Sequence, residues 1–105
     1  MPKDELKRGW EVEFSSAASK QKKKLPKTIS IIILDLVEEL EIYGPIQVEW
    51  PNFSSLKKDK RIPENAYHCH VKKGKPTYVA CWRVIDKKIK ILEIFYVGTH
   101  ENAPY

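Results

Sequence analysis

Three histidines are the residues of this chain best suited to chemistry at neutral pH, because imidazole titrates near neutrality. Two stand together in His68-Cys69-His70, and the third is His100. A spacing of two puts His68 and His70 on one face of a strand. Three readings of the set compete. The histidines exchange protons at a reacting centre; or they hold zinc, with Cys81 as a further ligand; or they are hydrogen-bonded strand histidines with no role, since an HxH pattern alone is a weak signal. His100 reaches the other two only if the sheet curls or the chain after the last strand folds back.

Arg83 stands in an apolar run, Tyr78-Val79-Ala80-Cys81-Trp82-Arg83-Val84-Ile85. A guanidinium there is costly unless it pairs or reaches water. It serves either as a bidentate phosphate clamp or as the partner of Glu93, and both readings stay open. Alternation puts Val79, Cys81 and Arg83 on one face and Tyr78, Ala80, Trp82 and Val84 on the other. Two basic clusters follow the same theme: Lys57, Lys58, Lys60 and Arg61, then Lys72, Lys73 and Lys75. With Phe53, Tyr67, Tyr78 and Tyr96 nearby, they have the makings of an RNA-binding surface, since lysines neutralise phosphates and aromatics stack on bases. The plainer alternative is that these lysines solvate turns and the aromatics fill a core. The sequence has no GxSxG, Walker, GxGxxG or HExxH motif, so hydrolase, nucleotide-binding and metalloprotease readings lack support.

The elements that must position these residues follow from periodicity. Residues 10–14 alternate apolar and acidic, the pattern of a half-buried strand. Ser15 or Ser16 can cap a short basic helix over 17–24, and Leu25-Pro26 ends it. Residues 27–43 give the clearest helical signal, with Ile29, Ile32, Ile33, Leu36, Leu40 and Tyr43 in one stripe, and Gly44-Pro45 stops it. Ile31, Leu34 and Val37 widen that apolar surface. Residues 46–50 read as a short extended piece and 51–63 as a loop. Strands are expected over 67–71, 77–85 and 89–97, joined by the turns 72–76 and 86–88. The predicted fold is α+β: two N-terminal helices packed on one face of a small, mainly antiparallel sheet in the order β-α-α-β-β-β. The sheet's other face is left as a concave working surface. One domain is expected over residues 1–105, with 1–9 as a flexible lead-in.

The chain carries 19 Lys+Arg against 14 Asp+Glu, a formal net charge of +5. Such a balance suits an anionic partner, nucleic acid or an acidic protein, and it also suits plain solubility. No run of about 18 apolar residues is present to span a membrane, and residues 1–10 lack the apolar core of a signal peptide. Cys69 and Cys81 have no CxxC spacing and read as free thiols of a cytoplasmic protein.

The stretch Tyr67-His68-Cys69-His70-Val71, a turn, residues 77–84, and then Ile94-Phe95-Tyr96-Val97-Gly98-Thr99-His100 resembles the RelE/ParE superfamily of toxins from type II toxin–antitoxin systems. The closing Gly-Thr-His resembles its YafQ-like branch. The front half agrees, with a strand, a basic helix, Leu-Pro and a long helix ending at Gly-Pro. The resemblance implies a ribosome-dependent mRNA endonuclease that works in the A site. In such enzymes the 2′-hydroxyl attacks the adjacent phosphate, without a metal or other cofactor. That chemistry needs a base, an acid and a cation for the phosphate.

Carried over by residue, His70 matches the histidine before the β-turn, and His100 the one after the final Gly-Thr. Arg83 falls where relatives often have a basic residue. Tyr105 sits near the tyrosine of RelE, one residue short. The acidic residue that YafQ-like members carry after the first histidine is missing, and Lys73, Gly74 and Lys75 occupy that stretch. His68 has no counterpart and is available to replace a missing group. The implied partners are a cognate antitoxin, the ribosome and mRNA. The superfamily's ParE branch poisons DNA gyrase and lacks the nuclease residues; the basic set here favours the RNA branch. A gyrase-type protein binder and a histidine-based metal module are the alternatives.

Overall fold

The structure is a computed structural model and describes residues 9–56 and 62–105. The alternating stretch near the start forms β1 (Glu11–Phe14), and Val12 and Phe14 turn to the core. Ser15 accepts the Ala18 N–H at 3.0 Å and so caps α1 (Ser16–Lys23). The last turn of α1 holds Lys20, Lys22 and Lys23, cations placed where the helix dipole is negative.

Helix α2 (Lys27–Tyr43) follows directly after Pro26 and buries Ile29, Ile33, Leu36 and Leu40. Ile31 and Leu34, on its other side, remain about half exposed at 53% and 55%. Gly44 ends the helix at φ 85°, and a Cβ there would come within 2.7 Å of the Trp10 indole nitrogen. Only glycine serves both the left-handed backbone and that close approach.

Residues 46–50 are not a strand. The buried Gln47 side chain donates to the Glu39 and Gly44 carbonyls at 3.1 and 2.8 Å. Backbone bonds from Trp50 to Gln47 and from Phe53 to Trp50 then close successive turns. With its polar groups spent locally, the segment cannot join a sheet. The extended piece comes later, as β2 (Ser54–Ser55), inside the stretch expected to be loop.

Strands β3 (Ala66–Lys72), β4 (Tyr78–Asp86) and β5 (Ile91–Thr99) form the antiparallel meander. Strand β1 adds in parallel beside β5, giving the order β1-β5-β4-β3-β2. This is the expected α+β architecture, with β1, β2 and the three long strands in one five-stranded sheet. The last strand begins two residues later than its apolar run suggests. Asp86 Oδ1 accepts the N–H groups of Lys88 and Ile89, and Lys90 takes φ 57°, so residues 87–90 are turn.

A bulge in β5 explains why its facing is hard to read from alternation. Cys81 pairs with Tyr96 but Trp82 pairs with Ile94, which leaves Phe95 as an extra residue. Leu92, Ile94 and Val97 therefore share the helix-side core, while Tyr96 points to the other side.

That core holds Ala18, Ile33, Leu36 and Leu40 against Cys69, Ala80, Trp82 and Ile94. Trp82 is fully buried, stacks on Phe53 and donates its indole N–H to the Pro45 carbonyl at 3.0 Å. The bond ties the middle of β4 to the chain leaving α2. Trp82→Phe leaves that carbonyl without its donor and a void in place of the lost ring. Its unfolding free energy in urea is expected to fall by about 2–4 kcal/mol with the slope unchanged. An unchanged midpoint would remove Trp82 as the tie between sheet and helix.

Candidate active face

The site grows out of β3 and the end of β5. Leu56 N–H bonds to the Ala66 carbonyl and His70 N–H to the Pro51 carbonyl, so the 51–56 segment closes the outer edge of β3. His68 and His70 then project from the sheet face opposite the helices, as their spacing predicts. Across β4, His68 pairs with Cys81 and His70 with Val79; across β5 these rows continue to Tyr96 and Gly98. Val79, Cys81 and Tyr96 form a small second core under the face, touched by Leu56, Phe95 and Ala103.

His100 joins the pair because the chain folds back. After β5 it enters a single 3₁₀ turn (His100–Asn102), and the His100 N–H donates to the Thr77 carbonyl at 2.8 Å. The turn depends on Gly98. Tyr96 lies along it and donates its hydroxyl to the Thr99 carbonyl at 2.7 Å, and a Cβ on Gly98 would sit 2.7 Å from that hydroxyl. The Gly-Thr-His run thus has a steric reason: glycine makes room for the tyrosine that fixes the turn.

Four rings result in one cluster. His70 meets His100 edge-on at 5.4 Å between centroids, and His68 lies 6.1 Å from His70. The tail brings Tyr105 to 4.5 Å from His68 and 5.8 Å from His100. Ser54 Oγ and His68 Nδ1 are 3.2 Å apart, a hydrogen bond that leaves Nε2 for other use. Beside His70 and His100 opens a shallow hollow of about 720 Å³, also lined by Lys75, Pro76 and Thr77.

The electrostatics favour neutral imidazoles. Burial lowers the His68 pKa below its usual 6.5, with His70 and His100 adding to the effect and a hydrogen bond at Ser54 opposing it. Burial also lowers His70, helped by His100 and Lys73. The Tyr105 hydroxyl is pushed up to about 12, mainly by burial, so it keeps its proton. Burial likewise pushes the Cys69 and Cys81 thiols up to about 12, and both are core residues with no free thiolate to offer. Among the described residues no group of three or more His, Cys, Asp or Glu side chains is set to hold a metal ion.

The remaining candidates separate from the cluster. Arg83 lies on the same face, paired across the sheet with Ala66 and Glu93, two residues along β4 from Cys81. Its Nε holds Glu93 Oε1 at 3.0 Å, the ion-pair alternative of the sequence reading. Lys72, Lys73 and Lys75 ring the β3–β4 turn, all exposed. Lys57, Lys58, Lys60 and Arg61 lie outside the described residues. Ser54 and Thr77 are contributors that sequence reasoning missed, and neither carried a signal; Tyr96 and Gly98 stood in the family-like stretch, but their part in fixing the turn was not read from it.

With this geometry in view, solved structures of similar fold are informative. The archaeal RelE–RelB complex from Pyrococcus horikoshii OT3 matches with a TM-score of 0.63 at 18% identity, over 90% of this chain and 99% of that one. The isolated Escherichia coli RelE toxin matches with a TM-score of 0.60 at 25% identity, over 90% of this chain and 87% of that one. The E. coli DinJ–YafQ toxin–antitoxin complex matches with a TM-score of 0.61 at 21% identity, over 89% of this chain and 94% of that one. No family model matches the sequence, and no curated protein is found similar to it. The chain has the RelE fold, and the resemblance read from residues 10–100 holds in that fold.

Two outcomes test this site. A histidine whose pKa is lowered by folding binds its proton less well folded than unfolded. Stability is therefore full above the unfolded pKa, falls as pH drops through 6.5, and levels off below the folded midpoint. Urea midpoints between pH 7.5 and 5 are expected to drop for the native chain and to drop less for His68→Gln/His70→Gln. Equal slopes in the two proteins would contradict the desolvated histidines. In a second test, Gly98→Ala pushes the Tyr96 hydroxyl off the Thr99 carbonyl and displaces the His100 ring resonances in NMR spectra; adding Tyr96→Phe is expected to recover part of that displacement.

Proposed function

We propose that this chain is the cytoplasmic toxin of a toxin–antitoxin pair, and that it cuts mRNA on the ribosome as a metal-independent endoribonuclease. The observation that carries the reading is the edge contact of His70 and His100, at 5.4 Å, on an open sheet face of the RelE fold. Two imidazoles at that spacing suit the two ends of one phosphodiester. One takes the proton of the 2′-hydroxyl as its oxygen bonds to phosphorus. The other gives a proton to the 5′-oxygen as the P–O5′ bond breaks, leaving a 2′,3′-cyclic phosphate and a 5′-hydroxyl. Burial lowers the His70 pKa and so favours the unprotonated imidazole that a base needs.

Charge building on the phosphate needs a cation. Lys75 lines the same hollow, and the Lys73 charge acts on His70. Arg83 holds Glu93 through Nε, which leaves its terminal nitrogens for the phosphate. His68 and the protonated Tyr105 close the face on the far side and offer rings for a base to stack on. Lys72, together with Lys57, Lys58, Lys60 and Arg61, would add affinity for the RNA backbone. The partner expected to silence the face is an acidic antitoxin segment that folds on binding.

The test is A-site cleavage with purified ribosomes. His70→Ala and His100→Ala are each expected to lose about 10²–10⁴-fold in cleavage rate while keeping their fold and their ribosome binding. If both cut at the normal rate, the histidine assignment is wrong. If both remain toxic in cells without cutting mRNA, the target is a protein such as gyrase.

A further inference from the structure

The net charge of this protein sits almost wholly in one corner. Between Glu13 and Asp35 there is no acidic residue, and within that span stand Lys20, Lys22, Lys23, Lys24 and Lys27. Without these five the chain has 14 basic against 14 acidic residues. Lys22 lies over the Phe14 ring at 5.0 Å. Lys20, Lys23, Lys24 and Lys27 are exposed around the end of α1 and the start of α2, with no carboxylate partner among the described residues. Four unpaired ammonium groups packed so closely repel one another. The α1 dipole favours the cations of its last turn, but it does not reach Lys27, which opens α2 at the end where a helix favours anions.

Against that corner the structure has a second hollow, of about 360 Å³. Lys24, Leu25 and Pro26 form one wall, and Tyr78, Thr99 and Asn102 belong to the other. It meets the His100 turn at Thr99 and Asn102, whereas His100 and Glu101 line the histidine hollow. Tyr78 follows Thr77, which lines that first hollow, and Asn102 closes the turn that His100 opens. The two hollows are thus neighbours across one turn of chain. Each has lysine at its rim, Lys75 on one side and Lys24 on the other. The volume of the second, its largely apolar walls and the Asn102 amide suit one unstacked base.

We infer that the α1–α2 corner and this hollow are a binding site for single-stranded RNA. The strand's backbone is held by Lys20, Lys23, Lys24 and Lys27, and one base is seated between Leu25-Pro26 and Tyr78. The inference rests on the RNA reading of the histidine face, which it extends by a flanking nucleotide. A strand engaged at His70 and His100 continues over the His100–Asn102 turn into the corner. The lysines supply affinity without sequence preference, and the hollow restricts the substrate to unpaired nucleotides.

The experiment is direct binding of the full chain to a 2′-O-methylated 12-nucleotide RNA, which cannot be cut by 2′-OH attack. Fluorescence anisotropy is followed from low to moderate salt. Each lost phosphate contact on a single strand lowers the slope of log K against log salt by about 0.7. Lys20→Gln/Lys23→Gln/Lys24→Gln/Lys27→Gln is expected to lower it by roughly 2 to 3. Lys87→Gln/Lys88→Gln, in the turn at the other end of the sheet, should keep the native slope. Asn102→Leu should weaken single-strand binding without changing the slope. A quadruple variant with the native slope overturns the inference, as does a native protein that binds an RNA duplex of equal length more tightly. Cleavage by His70→Ala and His100→Ala at the normal rate would defeat the nuclease reading while leaving this binding result to stand by itself.

Discussion

The central strand of this protein is buried on both faces, and the chain has helices for only one of them. Val79, Ala80, Cys81 and Trp82 are all without solvent contact. On one side α1 and α2 cover Ala80 and Trp82; on the other, Val79 and Cys81 need a separate roof. Tyr96, Leu56, Phe95 and Ala103 pack there, and His68 and His70 stand beside Cys81 and Val79 on that face. Part of the candidate site thus also flanks the minor core. This double duty explains its electrostatics. Rings that shelter apolar residues are themselves partly desolvated, and desolvation lowers an imidazole pKa. The same packing that completes the fold lowers the pKa of His68 and His70.

Much of this was legible in the residues. The stripe in α2, the alternation in β1 and β4, and the common facing of His68 and His70 are local properties with a fixed period, and the structure has them, except that Tyr43 at the end of the stripe is exposed. What escaped was non-local. The bulge at Phe95 changes the facing of half a strand through pairing with Cys81 and Trp82, which no window along β5 reveals. Residues 46–50 have the apolar content of a strand, but Gln47 finds carbonyls on α2 first. Arg83 was balanced between phosphate and Glu93, and the cross-strand register decides for Glu93 in the free chain. That His100 returns to His70 depends on a bond to Thr77, 23 residues away, and on a glycine whose need lies in Tyr96.

The open face is also electrically graded. At the end near the β3–β4 turn stand the histidines and the exposed Lys72, Lys73 and Lys75. At the other end Glu13 and Glu93 sit side by side across β1 and β5, next to Arg83. The carboxyl of Glu13 is raised above the usual range by a hydrogen bond with Glu11, by burial, and by the charges of Glu11 and Glu93. A polyanion brought to this face is drawn to the lysine end and repelled from the carboxylate end. The gradient thus acts on a polyanion before any close contact is made, and its attractive end is the one that carries the histidines.

Structures at 18–25% identity share this fold. Such divergence is tolerable because a core asks for pattern and volume, and many residue sets meet that demand. A reacting face asks for more: particular groups at particular atoms. Here the two demands meet in His68 and His70, which stand beside Cys81 and Val79 on the open face and belong to the ring cluster. A phenylalanine at 68 or 70 would keep an apolar neighbour beside Val79 and Cys81 without the cost of desolvating a titratable group. The fold by itself has no need of histidines at these two positions.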